Sequence, residues 1–226
     1  MKIRYALIMA AGRGERMLPL TDIVPKAMVP VNGSTLIAEG LKYLHRKIPY
    51  IYVTVGYKGP MLAAHVIENN VSGVFNTTGQ DNAWWLFNTL MRGLDEPVIV
   101  LTCDNVIELD FELLTQEYYS KGCPPCMVVP VRPIPGVEGD YIDHENNVVK
   151  WLSRHEVTDM YCSGIQIIHP KKVNALIPPL TNFYQVWNAL IKQDSLYCSN
   201  LYPSKWFAVD TLQQLSSYKE TLGQPE

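Results

Sequence analysis

No apolar run in this sequence approaches the roughly 20 residues that a membrane-spanning helix needs, which excludes a spanning segment within it. Excess positive charge is missing too. Nineteen Lys and Arg face 22 Asp and Glu, a net charge of -3, so a broad nucleic-acid or anionic-membrane surface is not expected and any phosphate binding must be local. Cysteine is scarce and odd in number, five in all, which favours reduced thiols. Cys123-Pro-Pro-Cys126 has the C-x-x-C form but lacks a second pair to complete a zinc set. Its double proline keeps a thioredoxin-like helix from starting, so it reads as a loop leading into a strand. The five histidines show no ligand spacing. No repeat, low-complexity tract or long linker divides the 226 residues, which suits one α/β domain over 1–226.

What is present is concentrated near the start. A short apolar strand runs into Ala10-Ala11-Gly12-Arg13-Gly14-Glu15-Arg16, and Pro25-Lys26-Ala27 follows. Lys2 and Arg4 ahead of an apolar stretch give a superficial likeness to a signal peptide, but the run from Tyr5 to Ala11 is short and leads directly to Arg13 and Arg16. It reads as a buried first strand, with a cytoplasmic location as the expectation. Small residues at Ala10, Ala11, Gly12 and Gly14 let backbone N–H groups approach a ligand closely, and neighbouring cations can neutralise phosphate. The spacing is wrong for a P-loop, whose lysine directly follows the second glycine. It is wrong for a dinucleotide fingerprint as well, because Met17 stands where a third glycine is wanted.

Strands at 4–9, 50–55, 73–76 and 98–102 alternate with helical patterns at 35–46, 61–69 and 82–93. This βαβ progression predicts parallel pairing, with ligands gathering beyond the strand C-termini, where both the glycine-bearing turn and Cys103-Asp104-Asn105 fall. After about residue 125 the pattern becomes strands with short turns, at 127–131, 141–142, 148–152 and 162–168. Helices at 171–176 and 182–192 and strands at 196–199 and 206–209 complete it, which predicts a more antiparallel second half.

The run from Ile8 to Thr21, with Pro25-Lys26-Ala27-Met28-Val29-Pro30-Val31, resembles the nucleotidyltransferase family that makes nucleotide-activated sugars and nucleotide-activated phosphocholine. Its signature reads roughly L-A-A-G-x-G-x-R-L/M-x-P-L-T, then P-K-x-L/M-x-P-V. The resemblance implies a single-domain three-layer α/β/α fold of the nucleotide-diphospho-sugar transferase (GT-A-like) type with a mixed, mainly parallel sheet. Residues 1–122 would form the nucleotide-binding half and 123–226 the acceptor-binding half. It implies that Ala10, Ala11, Gly12, Arg13, Gly14, Arg16 and Lys26 bind the nucleotide, Lys26 and Arg16 acting as the catalytic cations on the triphosphate.

Nucleotidyl transfer builds negative charge as pyrophosphate leaves, and Mg²⁺ with one or two carboxylates answers that need. Asp104 resembles the family's strand-end metal aspartate; as a bare pattern, Asp104-Asn105 is also a turn-forming pair. In Trp206-Phe207-Ala208-Val209-Asp210-Thr211, Ala208 occupies the place of a family carboxylate. Asp210 is then the candidate for the second Mg²⁺ ligand, with capping of a helix near Leu212 as its rival role.

The segment Asn76 to Asn88 lacks the sugar enzymes' G-T-A/G-G-A motif and resembles the N-N-x-x-S-L type of phosphocholine cytidylyltransferases. This makes Asp81, Asn82, Trp84 and Trp85 the expected acceptor residues. Adjacent Trp84 and Trp85 point about 100° apart on a helix, so both cannot face one pocket. Tyr161, Tyr184 and Trp187 offer further aromatic faces. The leading expectation is Mg²⁺-dependent transfer from a nucleoside triphosphate, leaning to CTP, onto a phosphocholine-like acceptor. A sugar 1-phosphate with GTP or UTP is the alternative, and a nucleotide sensor without turnover the third reading. No nucleic-acid or membrane partner is expected, and a homo-oligomer stays open.

Overall fold

A computed structural model describes residues 2–31, 33–134, 137 and 139–222. The first half contains β1 (Tyr5–Met9), α1 (Leu20–Ile23), β2 (Pro30–Val31), β3 (Ser34–Thr35), α2 (Leu36–His45), β4 (Tyr50–Val55), α3 (Gly59–Glu68), β5 (Gly73–Asn76), α4 (Trp84–Asn88), β6 (Val98–Thr102), β7 (Asn105–Glu108) and α5 (Phe111–Ser120). The second contains β8 (Cys126–Val131), β9 (Tyr141–Glu145), β10 (Val148–Ser153), β11 (Tyr161–Ile168), α6 (Pro170–Leu176), α7 (Phe183–Ile191), β12 (Leu196–Cys198), β13 (Lys205–Ala208) and α8 (Leu212–Leu222).

Nine strands form one mixed sheet in the order β5-β4-β1-β6-β11-β8-β12-β10-β9. The β5-β4-β1-β6 part is parallel, with Tyr5 opposite Tyr50 on one side and Val98 on the other. From β6 onward antiparallel pairing enters through β11, as the strand-and-turn pattern of the second half predicts. Central strands are apolar on both faces because both faces are covered. Ala6, Ile8, Ile99 and Leu101 pack with Leu41, Leu44, Leu62, Val66, Leu114 and Tyr118 from α2, α3 and α5. Leu7, Val98 and Val100 point the other way, toward Trp85, Phe87, Phe183, Val186 and Leu190. Two helical layers therefore enclose the sheet, as the resemblance implies.

Helix starts follow local chemistry. Thr35 caps α2 by accepting from the Ala38 N–H, and Asp110 caps α5 by accepting from Glu112 and Leu113. The predicted helix over 82–93 is a correction: it breaks at Thr89, whose extended backbone separates α4 from a 3₁₀ turn at Leu90–Gly93. The Thr89 hydroxyl donates to the Trp85 carbonyl and accepts from the Met91 N–H, closing one turn and opening the next. Strand β7 was not predicted either. It pairs antiparallel with β13, Asn105 opposite Ala208, in a two-stranded ribbon outside the main sheet. No helix among the described residues is long and apolar enough to cross a membrane.

Candidate active site at the strand C-termini

The parallel strands β1, β4, β5 and β6 all end at one edge of the sheet, and the loops that follow them line a cleft of about 580 Å³. Ala11, Gly12, Gly14, Arg16 and Lys26 come from the first loop region. Gly56 and Tyr57 follow β4, Thr77, Gly79, Gln80, Asp81 and Asn82 follow β5, and Cys103 and Asp104 follow β6. This is where open parallel sheets hold ligands, since the chain diverges at strand ends and leaves backbone groups uncommitted.

The glycine-bearing loop is braced on both sides. Tyr57 N–H donates to the Ala11 carbonyl, and Cys103 N–H donates to the Met9 carbonyl. The Ala10 N–H reaches the buried Thr54 hydroxyl at 3.2 Å, while buried Thr21 donates to the Gly14 carbonyl. Gly14 has φ of 70°, and a β-carbon there would stand 2.8 Å from Lys26 Cβ. Glycine is thus needed twice over: for the left-handed backbone, and to let the lysine stem pass. Ala10 and Arg13, both expected nucleotide contacts, do not line the cleft. Arg13 pairs with Asp22 at 3.2 Å and lies over the Tyr57 ring.

From the rim of the cleft to its floor four charges alternate. Lys26 Nζ lies 2.5 Å from Asp104 Oδ2 and 2.5 Å from Asp210 Oδ1, and Arg16 Nη2 is 2.9 Å from the same Asp210 oxygen. Lys26 is only 9% exposed, a position an ammonium ion tolerates when paired on both sides. Burial works against its charge, but Asp104 and Asp210 outweigh it and hold the pKa above the ordinary lysine value. Burial likewise opposes the Asp104 carboxylate. The Lys26 ammonium more than compensates and lowers its pKa. The neighbouring Cys103 thiol is pushed up to about 12 by burial and stays neutral.

Asp210 reaches this point through the β7/β13 ribbon, with Val209 N–H donating to the Asp104 carbonyl at 3.0 Å. The capping role weighed for Asp210 falls to Thr211. Its hydroxyl accepts from Gln214 N–H, and the Gln214 side chain accepts from the Asp210 and Thr211 N–H groups, a capping box that opens α8.

Among the described residues no group of three or more His, Cys, Asp or Glu is arranged to hold a metal. Two carboxylates nevertheless meet the modest protein-ligand demand of Mg²⁺, which retains waters and shares substrate phosphates. Asp104 Oδ1 is buried and has no hydrogen-bond partner, an acceptor left over after Lys26 has taken Oδ2. An orphaned carboxylate oxygen beside a second carboxylate fits a divalent cation.

Of the expected acceptor residues, Asp81, Asn82 and Trp85 line the cleft and Trp84 does not. Trp85 is 1% exposed and packs against Phe183, so it serves as wall and core together. Tyr161 is buried, its hydroxyl accepting from Ile134 N–H. Sequence reasoning missed Tyr57, Gln80 and Asn182 in the lining. Only Asn182 carried a local signal, as the N-cap of α7.

The family model described as nucleotidyl transferase matches residues 5–134, which hold the braced loop, Lys26 and Asp104. The chain belongs to the nucleotidyl transferase family. Among its relatives is the bifunctional protein GlmU of Methanocaldococcus jannaschii, 26% identical over 67% of this chain and 36% of that protein. The mannose-1-phosphate guanylyltransferase catalytic subunit beta of Drosophila melanogaster is 23% identical over 87% of this chain and 57% of its own length. The chain therefore spans between a third and three-fifths of these relatives. In structure it is similar to a CTP:phosphocholine cytidylyltransferase from Streptococcus pneumoniae, with a TM-score of 0.74, 22% identity, and 97% and 99% of the two chains covered. That likeness shows the nucleotidyl transferase fold.

Proposed function

We propose that this nucleotidyl transferase moves a nucleotidyl group from a nucleoside triphosphate to the phosphate of a small phosphorylated acceptor, releasing pyrophosphate. The observation that carries this reading is the alternating Arg16, Asp210, Lys26 and Asp104 cluster beneath a bare, braced glycine loop. Backbone N–H groups of the loop would hold the phosphate chain, and Arg16 would grip it bidentately from the more exposed rim. Lys26, on a flexible stem beside the reacting phosphorus, would follow the charge as it moves to the leaving group. Asp104 and Asp210 would hold Mg²⁺, which when bound supplies charge neutralisation at the α-phosphate. The attacking oxygen already belongs to an ionised phosphate, so positioning and charge suffice and no covalent intermediate on the protein is required.

A relative named for mannose 1-phosphate that aligns over 87% of this chain favours a sugar 1-phosphate acceptor. The CTP and phosphocholine reading rests on the segment from Asp81 to Asn88. A pyrophosphate-release screen of the four nucleoside triphosphates against mannose, glucose and N-acetylglucosamine 1-phosphates, phosphocholine and phosphoethanolamine separates them. Release that requires one acceptor and Mg²⁺ is the expected result. Tight nucleotide binding with no release for any pair would leave the sensor reading in its place.

A further inference from the structure

A second cavity, of about 450 Å³, opens beside the cleft, and Asn82 and Asn182 line both spaces. Their carboxamides are held in one orientation. Asn82 Oδ1 accepts from Phe183 N–H at 2.9 Å, and Asn182 Oδ1 accepts from Gln185 N–H at 3.0 Å. An amide whose oxygen is committed in this way turns its NH₂ group away from that bond, and neither NH₂ finds a partner among the described residues. The seam between the two spaces thus carries a pair of uncommitted donors.

Beyond the seam, Arg154 and Asp140 line the cavity. Arg154 gives only its Nε to Asp140 Oδ1, at 3.2 Å, and its two terminal NH₂ groups have no partner among the described residues. Trp187 forms another wall. Its Nε1–H is tied to Gln166 Oε1 at 2.9 Å and its ring stacks on Phe183 at 5.9 Å, so the indole cannot swing aside. Tyr184 lies half exposed at the rim.

We propose that this cavity holds the part of the acceptor that lies beyond its attacking phosphate, and that it selects a polyhydroxylated ring, a sugar or cyclitol phosphate, over a quaternary-ammonium headgroup. The proposal rests on the nucleotidyl-transfer reading and deepens it. Hydroxyl and ring oxygens accept from the two carboxamides and from Arg154, a hydroxyl donates to the second Asp140 oxygen, and the C–H face of a ring packs against Trp187. A trimethylammonium group can use none of those donors. The Arg154–Asp140 pair also offers it no net charge to bind. The aromatic lining alone would suit a cation, but the unspent amide and guanidinium donors around it favour a ring that carries acceptor oxygens.

Asn82→Asp and Asn182→Asp keep the oxygen that accepts the backbone N–H and remove the NH₂, so the local fold is retained; thermal melts check this. Each should raise the Michaelis constant of the preferred sugar or cyclitol phosphate at least about tenfold, and Arg154→Met should do the same. The constant for the nucleoside triphosphate should stay within about twofold in Arg154→Met, and should change less than that of the acceptor in the two variants whose side chains also line the cleft. Preference of the wild-type enzyme for phosphocholine over every polyol phosphate tested overturns the proposal. So do variants that shift only the nucleotide constant. If no acceptor is turned over, the nucleotidyl-transfer reading fails by itself, and the cavity is tested by titrating mannose 1-phosphate while following the Trp187 indole N–H by NMR. A shift that disappears in Asn182→Asp upholds the cavity assignment, and no shift in the wild type removes it.

Discussion

The two ends of the ligand-binding face are built by opposite means. At the first, four parallel strands end together, loops are tied to one another by backbone hydrogen bonds, and the lysine that matters is nearly inaccessible. At the second, a β9–β10 hairpin and the start of α7 surround an open cavity whose Arg154 side chain is 67% exposed. Charges at the first end are locked into mutual neutralisation, whereas donors at the second are left unspent. On the proposed reading, the demand of the chemistry, a triphosphate and a divalent cation, would fall on side chains already paired with one another, and acceptor choice on side chains whose donors are unspent.

The comparison is tested most severely at Lys26. Lys26→Met should lower turnover by about a hundredfold or more, since one lost transition-state charge contact commonly costs about 2.7–4 kcal/mol. The same variant removes the cation held between Asp104 and Asp210 and leaves Arg16 on Asp210, so it should bind Mn²⁺ more tightly than wild type in the absence of nucleotide, by electron paramagnetic resonance. Unchanged turnover at saturating Mg²⁺-nucleotide would show that the buried cluster is structural only.

Asp104→Asn and Asp210→Asn should each weaken metal-dependent turnover, because an amide oxygen lacks the charge Mg²⁺ demands. Asp104 should matter more, as its Oδ1 is the unpartnered acceptor. A Mg²⁺ titration of initial rates ranks the two. Gly14→Ala places a β-carbon against the Lys26 stem in a left-handed backbone, so turnover should fall about tenfold through displacement of the lysine while acceptor affinity stays constant. An equal loss of acceptor affinity would mean the two ends are coupled rather than separately built.

The smallest effects lie away from both ends. Thr211→Ala should cost about 1 kcal/mol of stability through the lost cap of α8, visible in a denaturant melt, with little change in turnover. Trp84→Leu should alter neither Michaelis constant, since Trp84 lines neither space. A change in acceptor affinity there would restore Trp84 to the acceptor site.

The alternation of apolar strands with helical patterns, the bare loop, Lys26 and the strand-end Asp104 were all legible in the sequence. These depend on local periodicity, on turn chemistry and on a signature of contiguous residues. What only the tertiary structure decided involves partners far apart in the chain. Lys26 joins Asp104 and Asp210 because the ribbon of β7 and β13 folds residue 210 back onto residue 104, and a four-residue strand carries too short a pattern to announce its partner. Adjacent Trp84 and Trp85 were indistinguishable by composition until packing against Phe183 buried one and left the other outside the cleft. Asn82 and Asn182, a hundred residues apart, became a matched pair only when α7 settled beside α4. The donor direction of an amide is set by whatever its oxygen meets in the folded chain.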